Sequence, residues 1–155
     1  MSGATVRYTR ALMAGYQKLL VLLDLSDDSE QVMITARTQA AYTNAAIVAL
    51  HVVEFVPVEP MGESLMPTVQ IEEELIERSR EKLSGLAMRL GLREAKLRVE
   101  AGNTKAEILR VADEEGADLI VVGSRERHGL AILVNFTEDT ILHGAHCDVL
   151  AVRLR

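Results

Sequence analysis

The chain of 155 residues has a single cysteine, Cys147. One cysteine cannot form a disulfide within the chain, so the disulfide framework of a small secreted domain is excluded. No run approaches the roughly 18 apolar residues of a membrane-spanning helix. Residues 1–15 also lack the continuous apolar segment of a secretory signal peptide. From these absences we expect a cytoplasmic protein that has no membrane partner.

Positive charge is scarce as well. The sequence has 17 Lys and Arg against 23 Asp and Glu, which gives a formal net charge of −6 and a pI near 5.2. Proteins that bind DNA, RNA or anionic membranes use Lys and Arg to neutralise phosphates. The charge balance therefore excludes broad electrostatic attraction to such surfaces, and we expect no nucleic-acid partner.

The common catalytic motifs are absent from the sequence. It has no Gly-x-Ser-x-Gly elbow, no Walker lysine motif and no His-Glu-x-x-His pair. Ser26 and Ser124 have no evident base, so we expect no catalytic residue and leave only a weak ATPase open. A structural zinc needs four ligands, and we predict no metal site from the available histidines and cysteine, which are His128, His143, His146 and Cys147.

Short apolar runs alternate with amphipathic segments along the rest of the chain. The runs predict buried strands at residues 18–25, 46–53 and 118–123, a short outer strand at residues 97–101 and a last strand at residues 148–153. Helices are predicted from the capping residues 26–28 to about residue 44, and at residues 69–90, 104–116 and 137–143, with a Thr104-to-Glu107 capping box. Strands that alternate with helices predict an α/β fold with a parallel sheet, because right-handed crossovers return the chain to the same end.

Two segments stand outside this alternation. Residues 1–15 mix Ser, Gly, Thr and Arg, and we predict a flexible N-terminal extension there. Residues 54–68 contain all three prolines of the chain. A loop of that length commonly covers a site or contacts a partner, so it is a candidate lid.

The carboxyl ends of the predicted strands indicate a binding crevice. Ligands of open parallel sheets bind beyond these ends, where the strand order reverses. This rule places Asp24, residues 51–54 and residues 123–128 around one crevice. Simpler roles stay open, since Asp24 could cap the following helix, His51 could be a hydrogen-bonded strand histidine, and the basic loop at Arg125 could be merely solvated.

The assembled motifs resemble those of the universal stress protein family, in its small single-domain bacterial type. The resemblance covers residues 17–153, and within residues 16–155 it implies one universal stress protein domain. It rests on Asp24-Leu25-Ser26, the strand end His51-Val52-Val53, the helix entry at residues 102–107, and the segments at residues 117–125 and 147–152. The family implies an open five-stranded parallel sheet in the order 3-2-1-4-5 with two helices on each face, adenine nucleotide alpha hydrolase-like, and usually a dimer.

Nucleotide-binding members of the family resemble one another in a glycine pattern that this chain keeps only in part. The pattern is Gly, two residues, Gly, nine residues, Gly and then Ser or Thr. Gly123 fits the first position, but Glu126 and Phe136 stand at the later glycines, or Asn135 does if the loop is one residue shorter. A side chain blocks the close approach of backbone N–H groups to phosphate. A carboxylate about 5 Å from a phosphate charge adds a repulsion of roughly 3 kcal/mol at an effective dielectric near 20.

The sequence therefore predicts ATP binding that is weak or lost, while ATP or AMP stays open as a ligand. The alternative is an ATP- or AMP-binding stress switch with slow or no hydrolysis. The candidate adenine nucleotide site, taken from the family resemblance and the turn residues, consists of Asp24, Val52, Gly123, Arg125, Arg127 and Thr137.

The last strand is an edge of the implied sheet, and exposed edges invite pairing with another chain. The family resemblance suggests antiparallel pairing of two such strands across a two-fold axis. We therefore predict a homodimer that acts as a stress-response module on an unknown regulatory protein. The dimer contact would be made by Asp148, Val149, Leu150, Ala151, Val152 and Arg153.

Overall fold

A parallel sheet of five strands forms the centre of the computed structural model, which describes residues 15–54, 66–125, 141 and 143–154. The strands are β1 (Lys18–Leu22), β2 (Ala46–Val53), β3 (Lys96–Ala101), β4 (Leu119–Arg125) and β5 (Asp148–Leu154). They lie in the order β3-β2-β1-β4-β5, and every neighbouring pair is parallel. The predicted α/β sheet and its strand order are confirmed.

The central position of β1 in the sheet explains why its sequence is a continuous apolar run. Leu19 to Leu22 are all buried, because β1 lies between β2 and β4 and both of its faces are covered by helices. Its start is held by Asp118, whose carboxylate accepts the backbone N–H of Gln17 at 2.7 Å and that of Lys18 at 2.9 Å. The first strand of the chain is therefore tied to the fourth at its beginning.

Three described helices, α1 (Ser29–Thr43), α2 (Met66–Arg89) and α3 (Thr104–Glu115), cover the sheet. On one face, α1 and α2 contribute Val32, Met33, Leu83 and Leu86 to a core with β1. On the other face, Ile108, Val111 and Ala112 of α3 form a second core, together with the helical and fully buried Ile141. Among the described residues, no helix combines the length and the apolar character needed to cross a bilayer.

The ends of several elements differ from the sequence predictions. The first strand stops at Leu22 rather than residue 25, because Leu25 has a left-handed backbone with φ of 60°. The cap of α3 is Asn103 rather than Thr104, and its side chain accepts the N–H of Ala106 at 3.1 Å. The helix α2 begins at Met66 rather than at residue 69, and its Leu83 and Leu86 are buried while Leu75 is 42% exposed.

Some predictions fall on residues that the structure does not describe. These are most of the predicted N-terminal extension (residues 1–14), residues 55–65 of the candidate lid predicted at residues 54–68, and the predicted turn and helix start within residues 126–140, which include Arg127 and Thr137. The glycine replacements Glu126, Asn135 and Phe136 lie in the same undescribed stretch.

Candidate functional site

A cavity of about 330 Å³ opens at the carboxyl ends of β1, β2 and β4. Within the sheet, β2 and β3 lie on one side of β1, and β4 and β5 lie on the other side. The strand order therefore reverses beside β1, which is where open parallel sheets bind ligands. Three of the candidate residues, Asp24, Val52 and Gly123, line this one cavity.

Asp24 uses one of its carboxylate oxygens to hold the turn that leads into α1. Its Oδ1 accepts the N–H of Ser26 at 2.9 Å, the hydroxyl of Ser26 at 2.6 Å and the hydroxyl of Ser29 at 2.9 Å. Desolvation alone would raise the pKa of Asp24, but these hydrogen bonds outweigh it and hold the pKa below its usual value. The same carboxylate lines the cavity, so Asp24 supports the fold at the edge of the space where a ligand would bind.

Arg125 lies at the end of β4 and forms an ion pair with Asp28, whose Oδ2 contacts the Arg125 guanidinium. The side chain of Asp28 is 21% exposed and that of Arg125 is 60% exposed. Asp28 also lines the cavity. The basic residue that the sequence suggested as a phosphate contact is thus already in contact with a carboxylate of the protein itself.

His51 has a structural partner next to the cavity that it lines. Its Nδ1 lies 2.7 Å from the carbonyl oxygen of Leu23. A carbonyl only accepts hydrogen bonds, so Nδ1 carries the proton. The N–H of Leu23 in turn donates to the carbonyl of Leu50 at 3.0 Å. The histidine therefore helps to hold the chain leaving β1 against β2, in agreement with the simpler of its two roles.

Gly123 lies in a tightly packed part of the sheet as well as in the lining of the cavity. A Cβ atom on this residue would lie 2.9 Å from Cδ1 of Leu154 and 3.0 Å from Cγ2 of Val32. Both distances are shorter than ordinary carbon contacts. A glycine here is thus explained by the close approach of β5 and α1, whether or not a phosphate binds.

Glu54 lies in the lining, as expected from the placement of residues 51–54 at the crevice, whereas sequence reasoning did not identify Thr104 as a residue of the lining. Thr104 is the first residue of α3, whose N-terminal end has the positive end of the helix dipole. The signal for it was the Gly102-Asn103 turn after β3, where Gly102 has φ of 147° and donates its N–H to the carbonyl of Val53.

The cavity is acidic at its polar positions. Asp24, Asp28 and Glu54 contribute three carboxylates, and no Lys or Arg is among the described residues that line it. The other walls are apolar, with Leu22, Val52 and Ile108 among them. The arrangement is suited to a largely apolar ligand with a few polar atoms, and it is unfavourable for a highly charged anion.

The residues once considered for a metal do not assemble within the part of the chain that the structure describes. There, no group of three or more His, Cys, Asp or Glu side chains has the geometry to hold an ion. His146 lies with its Nδ1 3.4 Å from Oδ1 of Asp113. Burial, followed by the charges of Asp148, Asp118 and Asp113, raises the pKa of the Cys147 thiol, and a raised pKa makes a thiol less reactive.

Comparison with known proteins gives the same family in sequence and in structure. The model of the universal stress protein family matches residues 15–153. Universal stress protein A homolog 2 of Coxiella burnetii is 34% identical over 144 residues, which are 92% of this chain and 99% of that protein. The sequence predicted this family from the order and spacing of its motifs, and the prediction is confirmed.

Solved structures show the fold. The hypothetical protein MJ0577 superposes with a TM-score of 0.74 at 20% identity and covers 90% of this chain and 97% of its own. A universal stress protein in complex with cAMP superposes with a TM-score of 0.62 at 25% identity and covers 89% of this chain and 97% of its own. The architecture is that of the adenine nucleotide alpha hydrolase-like proteins. Together with the sequence match, these observations show that the chain belongs to the universal stress protein family.

Proposed function

We propose that this universal stress protein is a homodimeric regulatory module of the cytoplasm, which acts by contact with a protein partner and binds ATP weakly or not at all. The observation that carries the ATP part of the proposal is the acidic character of the cavity, where Asp24, Asp28 and Glu54 face the space that a nucleotide would occupy. A phosphate charge about 5 Å from one such carboxylate is repelled by roughly 3 kcal/mol at an effective dielectric near 20. ATP brings several such charges.

A second candidate is a switch that binds AMP or cAMP. The carboxylate of Asp24 and the apolar walls are suited to a nucleoside, and a cavity of about 330 Å³ lies within the usual range for small ligands. A neighbour of 25% identity was solved in complex with cAMP. These ligands bring fewer phosphate charges than ATP, so they meet less repulsion.

Calorimetric titration separates the two candidates. Adenosine, cAMP, AMP and ATP with magnesium are titrated into the wild-type protein, an Asp24→Ala variant and an Asp27→Ala variant. Asp27 is the matched control, because it is an acidic neighbour that does not line the cavity. No heat from millimolar ATP supports the module, and micromolar AMP or cAMP binding that is lost only in Asp24→Ala supports the switch. Micromolar ATP binding would contradict both forms of the proposal.

The proposed dimer uses β5, and the contrast between the two edges of the sheet supports this choice. At the other edge, β3 carries Lys96, Arg98 and Glu100 at alternate positions. Arg98 pairs with Glu100 at 2.6 Å and with Glu115 of α3 at 2.8 Å, and Lys96 pairs with Glu115 at 2.7 Å. Charged side chains on an edge strand disfavour pairing with another strand. In β5 the middle residue is the exposed Ala151, and no described strand lies along its outer edge.

A further inference from the structure

The ion pair of Asp28 and Arg125 joins two parts of the cavity that are distant in sequence. Asp28 occupies the N-cap position of α1, and Arg125 is the last residue of β4. Of these two residues, Asp28 lines the cavity and Arg125 does not. The pair therefore lies at the border between the acidic cavity and the turn that follows β4.

The carboxylate of Asp28 does not cap α1, the helix that follows it. An aspartate at an N-cap commonly accepts a backbone N–H of the first turn, but Asp28 has helical backbone angles (φ of −72°, ψ of −16°) and makes no capping hydrogen bond with its side chain. Its Oδ2 is buried and accepts no hydrogen bond from the described residues. Burial of a charged oxygen is costly unless a charge of opposite sign compensates it, and the partner that does so here is the guanidinium of Arg125.

We propose that Asp28 is an internal anion that holds Arg125 while the cavity has no anionic ligand, and that a ligand phosphate must displace it. The inference rests on the proposed function of the cavity and specifies how that cavity selects its ligand. A neutral nucleoside enters without breaking the ion pair. The phosphate of a nucleotide competes with the carboxylate of Asp28 for the guanidinium of Arg125. The ion pair therefore lowers the affinity for a nucleotide relative to the affinity for the neutral nucleoside.

The test compares the wild-type protein with Asp28→Asn, Arg125→Gln, the double variant and the control Asp27→Asn, which removes the same charge one residue earlier. We expect Asp28→Asn to raise the affinity for AMP by roughly tenfold, the effect of removing one like charge from a partly hydrated site. Adenosine affinity should stay within about twofold, because the ligand carries no charge. Arg125→Gln should cancel the gain when it is combined with Asp28→Asn, and such non-additivity identifies a coupled pair.

Inorganic phosphate provides a second measurement that does not depend on the nucleoside. A rise of the unfolding temperature with millimolar phosphate, seen in Asp28→Asn and lost in the double variant, supports the internal anion. If the same rise occurs while adenosine binds no variant, the nucleotide cavity fails and the ion-pair mechanism stands. No rise in phosphate and no gain in AMP affinity over Asp27→Asn would overturn the inference.

Loss of folding does not confuse the test, because a second substitution is available. Asp28→Ser keeps a residue that is favoured at a helix N-cap and removes the charge. Its AMP affinity should rise as in Asp28→Asn, and a gain in only one of the two variants would also overturn the inference.

Discussion

At the scale of single residues, two residues that line the cavity, Asp24 and Gly123, also make contacts that hold the fold together. Oδ1 of Asp24 holds Ser26 and Ser29 at the start of α1. Gly123 leaves room for Leu154 and Val32. Substitutions at these residues will therefore change stability even in the absence of a ligand, and binding data for them need a stability measurement beside them.

Asp24→Asn should reduce the free energy of unfolding at pH 7 by about 1 kcal/mol, since it weakens hydrogen bonds to a partly exposed charged group. The pKa of Asp24 is lowered in the folded protein. The carboxylate therefore stabilises the fold above its unfolded pKa of about 3.9, and this contribution is lost as the pH falls through the folded value. Urea unfolding of both proteins from pH 7 to pH 3 should show the difference shrinking. Asp27→Asn is the control, and an Asp24 effect independent of pH would contradict the assignment.

Gly123→Ala should destabilise the protein by about 1–3 kcal/mol, the usual cost of overpacking. The new Cβ would lie 2.9 Å from Leu154 and 3.0 Å from Val32. Gly85 in α2 is the matched control, because a Cβ there meets its nearest atom, Nη1 of Arg89, at 3.7 Å. Gly85→Ala should stabilise the helix by about 0.5–1 kcal/mol. Thermal unfolding of the two variants should thus shift in opposite directions, and an unshifted Gly123→Ala protein would show that β5 and α1 yield easily.

At the scale of helices and strands, the sequence and the described part of the structure agree on five strands and three helices and differ on where several of them begin and end. Buried strands could be predicted because strands covered on both faces have continuous apolar runs, as β1 has. The end of β1 could not, since Leu23 and Leu25 continue the apolar run beyond the strand, whereas the backbone turns at Leu25 beside the hydrogen bond from Ser26 to Asp24. The cap of α3 was misplaced by one residue because Asn103 and Thr104 are both good capping residues.

Candidate site residues were predictable to the extent that strand ends define the crevice. Asp24, Val52 and Gly123 were brought together as the rule of parallel sheets requires. The contact of Asp28 with Arg125 could not be predicted, because α1, β2, α2, β3 and α3 lie between these residues in the sequence. A pairing over such a distance becomes visible only when the sheet order places β4 beside β1.

Removal of the observed cap tests the boundary of α3. Asn103→Ala should lower the free energy of unfolding by about 1 kcal/mol, because the N–H of Ala106 loses its acceptor. Thr104→Ala is the control, since the capping box in the sequence would have placed the effect there, and it should change the stability by less than about 0.5 kcal/mol. Urea unfolding measures both. A larger loss of stability in Thr104→Ala than in Asn103→Ala would show that Thr104 is the N-cap, as the capping box in the sequence predicts.

At the scale of the whole molecule, the proposed dimer has a direct test in the middle of β5. In a pair of antiparallel strands centred on Ala151, the two Ala151 side chains face each other, and like charges at such positions repel. Ala151→Lys should therefore give a monomer of 17.0 kDa in sedimentation experiments. Leu97→Lys on β3, where Leu97 is 37% exposed, should leave the dimer intact. A dimer that survives Ala151→Lys and dissociates with Leu97→Lys would place the contact at the opposite edge.

The central place of β1 has a consequence for how the chain is made. The ribosome synthesises β1 first, but the hold of Asp118 on Gln17 and Lys18 and the pairing with β4 arrive only after α3 has emerged. Until then the nascent protein carries three of the five strands, with β1 unpaired along one side, and such an edge pairs readily with foreign strands. Fragments that end before residue 118 should therefore depend on chaperones, whereas the full-length chain protects its own first strand.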